Sequence, residues 1–256
     1  MKTQKPYREY KVKTYTISND SCIDENIPVI QEHMLELIIN GEKWVTFICS
    51  PTNLEELALG FLWNENVISD MGQVLSMQLN PDFSRIEIKL DRQVTKPSHF
   101  HRTTTGMALP HNEIAARNVG EFSLPAKKLS WLYTRFNEEQ KLHDLVGGFH
   151  SAALSDGQDI DIIMEDLGRH NCLDKLAGAW LRMENRINPT IMMISGRISS
   201  EMILKSVSIG SLILVSRTSP TALAIGIAEK AGICLVGYMR PRQYYIYAHP
   251  EYLVCS

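Results

Sequence analysis

Paired cysteines are missing from this chain. Its five cysteines (Cys22, Cys49, Cys172, Cys234 and Cys255) are scattered and odd in number, and no two stand at a C-x-x-C spacing. That excludes a zinc knuckle and a disulfide framework as sequence readings, and it predicts reduced, mostly buried thiols. Long apolar runs are missing too: no stretch approaches the roughly 18 to 20 residues that span a bilayer. Neither sign of charge dominates, and a formal net charge of -3 gives no electrostatic reason to expect a nucleic-acid or anionic-membrane partner. Met1 to Tyr15 is polar and basic with no apolar h-region, so no secretory signal is expected and a cytoplasmic location is. Several enzyme signatures are also lacking. There is no P-loop, no G-x-G-x-x-G after a strand and no nucleophile elbow. The deaminase pattern of H-x-E with P-C-x-x-C is absent, so zinc is not expected.

What is there is ordinary globular composition, 44% hydrophobic and 21% charged in 256 residues, enough for one large domain or a domain with a smaller partner. Residues 1–93 read as a β-rich part with one helix. Tyr10, Val12 and Tyr15 lie in a β-prone stretch. Met34–Ile39 and Trp44–Cys49 are apolar runs joined through Asn40-Gly41, a dipeptide suited to a tight hairpin turn. Thr52 and Glu55 form a candidate capping box for a helix carrying Leu54, Leu57, Ala58, Phe61 and Leu62. Val74–Leu79, Asn80-Pro81-Asp82 and the alternating Ile86, Ile88 and Leu90 predict a second hairpin.

Periodicity fades between Val94 and Glu121, so 94–124 is expected to be a long loop, with a short helix at Glu113–Arg117 and three histidines, His99, His101 and His111. Pro125 opens a predicted helix (Leu129, Leu132, Tyr133, Phe136) reaching about Leu145. From there to residue 256 strands and helices alternate. The strands are Phe149–Leu154, Ile160–Met164, Ile191–Ile194, Leu212–Val215, Cys234–Tyr238 and Tyr244–Tyr247. The helices carry Cys172 to Leu181, Ser199–Ile209 and Thr221–Ala231. This pattern predicts an α/β fold with a partly parallel sheet covered by helices.

Ligands of such sheets bind at the carboxyl ends of strands, and three loops there are unusually polar. The first runs from Glu165 to Asn171. Asn171 is placed to cap the next helix, with Arg169 and His170 near its positive end and Asp166 as an acceptor for a sugar hydroxyl or a purine amine. The second, Ser195-Gly196-Arg197-Ile198-Ser199, offers a guanidinium and a capping serine. The third, Ser216-Arg217-Thr218-Ser219-Pro220-Thr221, repeats the arrangement. Gly147-Gly148 either lets a ligand approach the main chain or simply stops a helix. His150 is either a hydrogen-bonded structural group or a base. An anion such as phosphate is the expected ligand of the converging loops.

These residues resemble the formate dehydrogenase accessory sulfurtransferases, the FdhD family, over nearly the whole chain. The likeness is sharpest in Gly147-Gly148-Phe149-His150-Ser151-Ala152, in Glu165 to Lys175 with its Arg169-His170-Asn171 and Asp174-Lys175, and in Ser195-Gly196-Arg197. Further matches are Asn40-Gly41, Pro51, Glu56 to Leu62, Ser219-Pro220-Thr221, Gly237, Arg240 and His249-Pro250-Glu251. The resemblance implies a three-layer αβα core with a mixed sheet, similar to the cytidine deaminase fold, plus the smaller β-rich N-terminal part. It implies a homodimer that takes sulfur from a cysteine desulfurase and passes it to the molybdenum bis(guanine dinucleotide) cofactor of formate dehydrogenase. The implied cofactor-binding residues are Gly147, Gly148, His150, Asp166, Arg169, His170, Asn171, Asp174, Lys175, Ser195, Arg197 and Ser219, with GDP or GTP as mimics of the ligand.

The chain departs from that family at its reactive loop. Where the family carries a C-G-x-C-G type motif, this chain reads Thr103-Thr104-Thr105-Gly106-Met107-Ala108-Leu109, so Gly106 and Leu109 stand at the cysteine positions. Neither forms a thiolate, and sulfur relay through this loop is chemically excluded. Val146 also replaces a threonine usual before the Gly-Gly pair. Cys172, in the first turn of a helix beside Arg169, is the substitute sulfur carrier to be tested; Cys255 is the weaker one. Three functions remain open at this point. The chain is an accessory protein that binds the cofactor, a non-catalytic scaffold or regulator that binds a nucleotide-like ligand, or an enzyme using His150 or His170 beside Asp166.

Overall fold

Alternation of side chains across four-residue apolar runs sets the centre of the molecule. The computed structural model describes residues 4–96, 102–103, 106–107 and 122–254. In chain order it begins with a long antiparallel hairpin of β1 (Tyr7–Thr16) and β2 (Ser21–Ile30). Next come β3 (His33–Ile39), β4 (Glu42–Cys49), helix α1 (Leu54–Asn64), β5 (Val74–Leu79) and β6 (Arg85–Leu90). The four strands form one sheet in the order β4-β3-β6-β5. Leu35, Leu37, Ile39, Ile86, Ile88 and Leu90 are buried with α1 residues Leu54, Leu57, Phe61 and Leu62, while Arg85, Glu87 and Lys89 face solvent. Asn40 and Gly41, at φ 49° and 84°, make the tight turn that their types favour.

Short strands β7 (Arg102–Thr103) and β8 (Gly106–Met107) pair with each other. The expected helix at Glu113–Arg117 and the histidines His99, His101 and His111 lie outside the described residues. Then follow β9 (Leu124–Pro125), α2 (Ala126–Glu138), α3 (Lys141–Val146), β10 (His150–Ser155), β11 (Ile162–Asp166), α4 (Arg169–Leu181), β12 (Ile191–Ile194), α5 (Ser200–Ile209), β13 (Ile213–Ser216), α6 (Ala222–Ala231), β14 (Cys234–Gly237), β15 (Tyr245–Ala248) and β16 (Leu253–Val254).

Six of these strands form a mixed sheet in the order β11-β10-β12-β13-β14-β15, parallel at β12-β13-β14 and antiparallel elsewhere. Its two faces are read directly off the strands. Ala152, Leu154, Met192, Ile194, Leu214 and Leu235 point toward α4, α5 and α6. Ala153, Ile191, Met193, Ile213, Val215, Cys234 and Val236 point toward α2 and the C-terminal residues Tyr252 and Leu253. Burial on both faces is why these strands are continuous apolar runs rather than alternating ones. The result is the expected three-layer αβα core plus a smaller β-rich N-terminal part.

The N-terminal part does not stand apart from this core. Helix α1 lies backbone to backbone on α4. A Cβ at Gly60 would sit 1.7 Å from the Asp174 carbonyl oxygen, and one at Gly178 would sit 1.9 Å from that of Glu56. Only two facing glycines allow so close an approach.

Three local expectations need correction. Thr52 does not cap α1: Asn53 holds the N-cap position in the left-handed region, with no side-chain cap. The Thr52 hydroxyl turns instead to Ser50 Oγ at 3.1 Å and Lys175 Nζ at 3.5 Å, while Glu55 pairs with Arg182. The helix after Pro125 is not continuous to Leu145. It stops at Glu138, and α3 restarts because the Glu165 carboxylate accepts from Leu142 N and His143 N at 2.9 and 3.1 Å. The N-terminal stretch is a hairpin of two ten-residue strands, longer than the β-prone patch around Tyr10 to Tyr15.

Candidate functional site

The strand registers bring five loops to one edge of the six-stranded sheet. The carboxyl ends of β12, β13 and β14 lie side by side because these strands are parallel. Antiparallel pairing puts the start of β10 and the end of β11 at that same edge, and the start of β15 with them. The Gly147–His150, Asp166–Arg169, Ser195–Arg197, Ser216–Ser219 and Tyr238–Arg240 segments therefore share one rim, which is where α/β sheets place ligands.

Close contacts fasten the loops together. A Cβ at Gly196 would meet Arg169 Cδ at 3.1 Å and His150 Nδ1 at 3.3 Å. Ser216 Oγ donates to Gly196 O at 2.7 Å, and Arg217 Nε donates to Ser195 O at 3.4 Å. Arg240 donates to Arg217 O at 2.6 Å. Ile198 N donates to Ser219 O at 3.2 Å. Ser195 Oγ accepts from Ser151 N at 2.9 Å and lies 3.4 Å from His150 Nδ1. The rim thus gathers Arg169, Arg197, Arg217, Arg240 and His150. Burial, then the nearby Arg197, pushes the Arg169 pKa down, with Glu201 opposing. Burial, then Arg169, Arg217 and His143, pushes the His150 pKa down. Cations that crowd one another in this way are relieved by an anion.

Gly147 and Gly148 have φ of 73° and 69°, a region closed to most side chains. Gly147 ends α3, its N–H donating to His143 O at 2.8 Å, so the helix-stop reading holds. Nothing lies within 4 Å of a Cβ placed on it, so the backbone there is open to approach.

Other sequence-predicted site residues are not at this rim surface. Asp166 is fully buried and its acceptor positions are filled: Oδ2 by Lys175 Nζ at 2.6 Å, Ser50 N at 2.9 Å and Ser50 Oγ at 3.0 Å, and Oδ1 by Gly168 N and Asn171 Nδ2 at 2.9 and 2.8 Å. It has no lone pair left for a sugar hydroxyl or a purine amine. Lys175 is fully buried with it. Asp174 pairs with Lys205 at 2.6 Å and accepts from Asn64 at 2.7 Å. His170 pairs with Glu201 at 2.6 Å, away from Asp166. Asn171 is not the helix cap, a position taken by Gly168; its amide also donates to Ile48 O at 2.8 Å. Ser199 occupies the N-cap position of α5 without a side-chain cap bond, whereas Thr221 Oγ1 does cap α6, accepting from Ala224 N at 3.2 Å. Of these, the buried Asp166, Lys175, Asp174 and His170, with Ser50, Asn64, Lys205 and Glu201, tie α1 and the end of β4 to α4 and α5.

Cys172 is also corrected. Helix dipole and Arg169 do not make it a reactive thiolate. The residue is fully buried, its Sγ donates to His150 O at 3.2 Å, and burial followed by the Asp166 charge raises its pKa well above the ordinary thiol value. Burial likewise raises Cys49 and Cys234 to about 12. Cys22 is exposed but sits on β2, and Cys255 lies outside the described residues. Gly106 falls in β8, and Leu109 lies outside the described residues.

Sequence reasoning marked Arg217 only as part of the third loop and passed over Tyr238. Tyr238 adopts φ 49°, strained for a residue with a Cβ, and such strain clusters at functional sites. Its exposed ring meets Tyr245 edge-on at 5.8 Å.

The chain is a three-layer αβα protein with a cationic rim at its strand ends, the edge at which α/β sheets place ligands. Its architecture matches the crystal structure of a Desulfotalea psychrophila protein, provisionally described as a formate dehydrogenase accessory protein, with a TM-score of 0.82 over 98% of this chain and 100% of that one. At 23% identity that likeness speaks for the fold. Proteins of Staphylococcus aureus strains MRSA252 and Newman, both called sulfur carrier protein FdhD, are 32% identical over 239 residues, covering 89% of this chain and 89% of theirs. The FdhD/NarQ family model matches residues 30–254, and the chain belongs to that family.

Proposed function

We propose that this chain is a formate dehydrogenase accessory protein that binds the molybdenum bis(guanine dinucleotide) cofactor at the cationic rim. The single observation that carries this reading is the crowding of Arg169, Arg197, Arg217 and His150 around the Gly196 main chain. The residues fit a diphosphate: guanidinium forks for its oxygens and an open glycine backbone at Gly147 for close approach. His150, Ser195 and Ser219 would add polar contacts, and the exposed Tyr238 and Tyr245 rings offer a face for a guanine base. Gly148 sets the loop's path, and His170, Asn171, Asp166, Asp174 and Lys175 act from behind by holding the rim loops in place.

The bound group would supply the metal and its sulfur ligands; this chain would bind, orient and deliver it. Its relatives are named sulfur carriers, but here the positions of the reactive cysteines hold Gly106 and Leu109, and Cys172 is buried with a raised pKa. Binding without sulfur relay is therefore the favoured form of the function, in the cytoplasm, with formate dehydrogenase as client and a second copy and a cysteine desulfurase as further partners. Among the described residues no helix is long and apolar enough to cross a membrane.

Calorimetric titration with GDP, as a mimic of the dinucleotide end, tests the reading. Arg169→Ala with Arg197→Ala should weaken binding by roughly 100-fold, as expected for loss of two charge-assisted contacts. Wild-type binding no tighter than that of the double variant ends the proposal. Mass spectrometry after incubation with a desulfurase and cysteine separates binding from transfer: an unchanged mass is expected, and an added sulfur would restore the carrier role.

A further inference from the structure

Strand β11 is an edge of the six-stranded sheet, hydrogen-bonded to β10 alone. Which of its main-chain groups face outward follows from β10. Ser151 turns both its N–H and its carbonyl toward Ser195, on the β12 side, donating to Ser195 Oγ at 2.9 Å and accepting from Ser195 N at 3.0 Å. Alternation then directs His150, Ala152 and Leu154 to β11, where they pair with Asp166, Met164 and Ile162. The N–H and C=O groups of Ile163 and Glu165 point away from the sheet, and among the described residues no main-chain bond reaches them.

Bare strand edges invite pairing, and folds blunt them with bulges, prolines or lysines. The other three edges of the two large sheets, β4, β5 and β15, each carry an irregular register with their neighbours. β11 does not. Its five pairs with β10 run without a break, and Ile162, Ile163 and Met164 at its centre are apolar. Ile162 and Met164 lean on the helix-side core and Ile163 on the opposite one, so both layers reach the edge half covered. Beside the strand lies a cavity of about 420 Å³, with Lys5, Pro6, Asn53, Leu142, Ile163 and Glu165 in its lining.

The approach to this edge is acidic. Asp156, Asp159 and Asp161 stand exposed on the turn that leads into β11. Burial, then the Asp156 and Asp159 charges, raise the Asp161 pKa, with the Asp156 N–H opposing. Lys128 reaches the same turn but donates to the Gln158 carbonyl at 2.6 Å. A cation arriving from outside would relieve that crowding.

We infer that the β11 edge takes up an extended segment of a partner polypeptide as a seventh, antiparallel strand, with basic residues at the end that lies beside Asp156, Asp159 and Asp161. Main-chain bonds to Ile163 and Glu165 would supply the affinity, and the half-covered apolar layers and the aspartates the selectivity. Antiparallel pairing is the more stable choice per residue. Cofactor binding at the rim is a separate property and is measured separately.

Fluorescence anisotropy of the full chain with a labelled nine-residue peptide tests the inference. The probe alternates valine and threonine and carries two lysines at its carboxyl end, which antiparallel pairing lays beside the three aspartates. A dissociation constant of about 100 μM or tighter is expected. The same peptide N-methylated at its central amides has no donors for the Ile163 and Glu165 carbonyls and should bind at least about 10-fold more weakly. Ile163→Pro removes an outward N–H and no bond to β10. It should likewise cost at least about 10-fold, with unchanged far-ultraviolet circular dichroism and GDP affinity. Asp156→Asn with Asp159→Asn should weaken the lysine peptide by about 3- to 10-fold and leave a glutamine-ended peptide within about 2-fold. A wild-type chain that binds the peptide no better than its N-methylated form overturns the inference, and this comparison needs no altered protein. Equal capture by wild type and Ile163→Pro also overturns it, as does an affinity indifferent to the aspartates. Peptide capture without GDP binding would fault the cofactor reading alone.

Discussion

Lys175 Nζ lies 2.6 Å from Asp166 Oδ2, with both side chains fully buried, and Ser50 binds each of them. One ion pair therefore joins three segments: the end of β11, the first turns of α4 and the exit of β4. Its energetic meaning is asymmetric, because a buried charge that loses its partner keeps its desolvation cost.

Lys175→Met should consequently destabilise the protein by about 3–5 kcal/mol. Asp166→Asn should cost a similar amount, with the loops at the rim loosened. The pair of substitutions together should cost clearly less than the sum, since no lone charge remains. Urea unfolding followed by circular dichroism measures all three. Additive losses would mean that the two groups do not act as a unit.

Helix contact gives a second, purely steric expectation. Gly60→Ala would drive a methyl to 1.7 Å from the Asp174 carbonyl oxygen, forcing α1 and α4 apart. A cost of about 3 kcal/mol or more is expected, at the upper end for overpacked sites. At Gly226, inside α6, an added methyl would meet nothing within 4 Å. Gly226→Ala should therefore stabilise by about 0.5–1 kcal/mol through helix propensity. Thermal melts of both variants show whether the two glycines differ in sign.

Glu65 offers a pH test. Burial raises its pKa to about 7, with Lys205 opposing and Asp174 and Glu201 reinforcing. A carboxyl whose folded pKa exceeds its unfolded value is bound to its proton more tightly in the fold. Stability from this group is therefore greatest below the unfolded value of 4.5 and is lost as pH rises from there to about 7. Glu65→Gln should remove that slope. Relative to the variant, wild type should lose on the order of 1–3 kcal/mol between about pH 5 and 8. A constant difference across that range would show that Glu65 ionises normally.

Much of the sheet was legible because its strands are short apolar runs divided by helices of ordinary period. Met192 and Met193 could face opposite helix layers without disturbing that pattern. The β1–β2 hairpin was harder to read, since Lys11, Lys13, Glu25 and Asn26 interrupt its apolar positions and hide the alternation. Within the site, the convergence of the Arg169, Arg197 and Ser219 loops followed from strand order alone. The orientation of Asp166, His170, Asp174 and Lys175 did not. A polar residue after a strand reads the same whether it faces a ligand or a neighbouring helix. Here Gly60 and Gly178 decide the matter by letting α1 back onto α4, so that Ser50 and Asn64 become partners of residues more than a hundred positions away. Those facing glycines were the available signal.

His150 connects the rim to pH in the opposite sense from Glu65. Its pKa is pushed down by burial, then by Arg169, Arg217 and His143, with Asp166 opposing. An anion seated among these cations would favour the charged imidazole and raise that pKa. Binding then takes up a proton at any pH between the free and bound values, and linkage requires affinity to rise as pH falls through that interval. GDP affinity should therefore strengthen by several-fold from about pH 8 to pH 6, and His150→Gln should flatten the profile while leaving binding at the alkaline end within about 3-fold. Salt should weaken both proteins alike, because the arginines remain. A profile that keeps its slope in His150→Gln would assign the proton to another group, such as the GDP phosphate itself. A wild-type affinity that falls on acidification would remove His150 from the anion's surroundings.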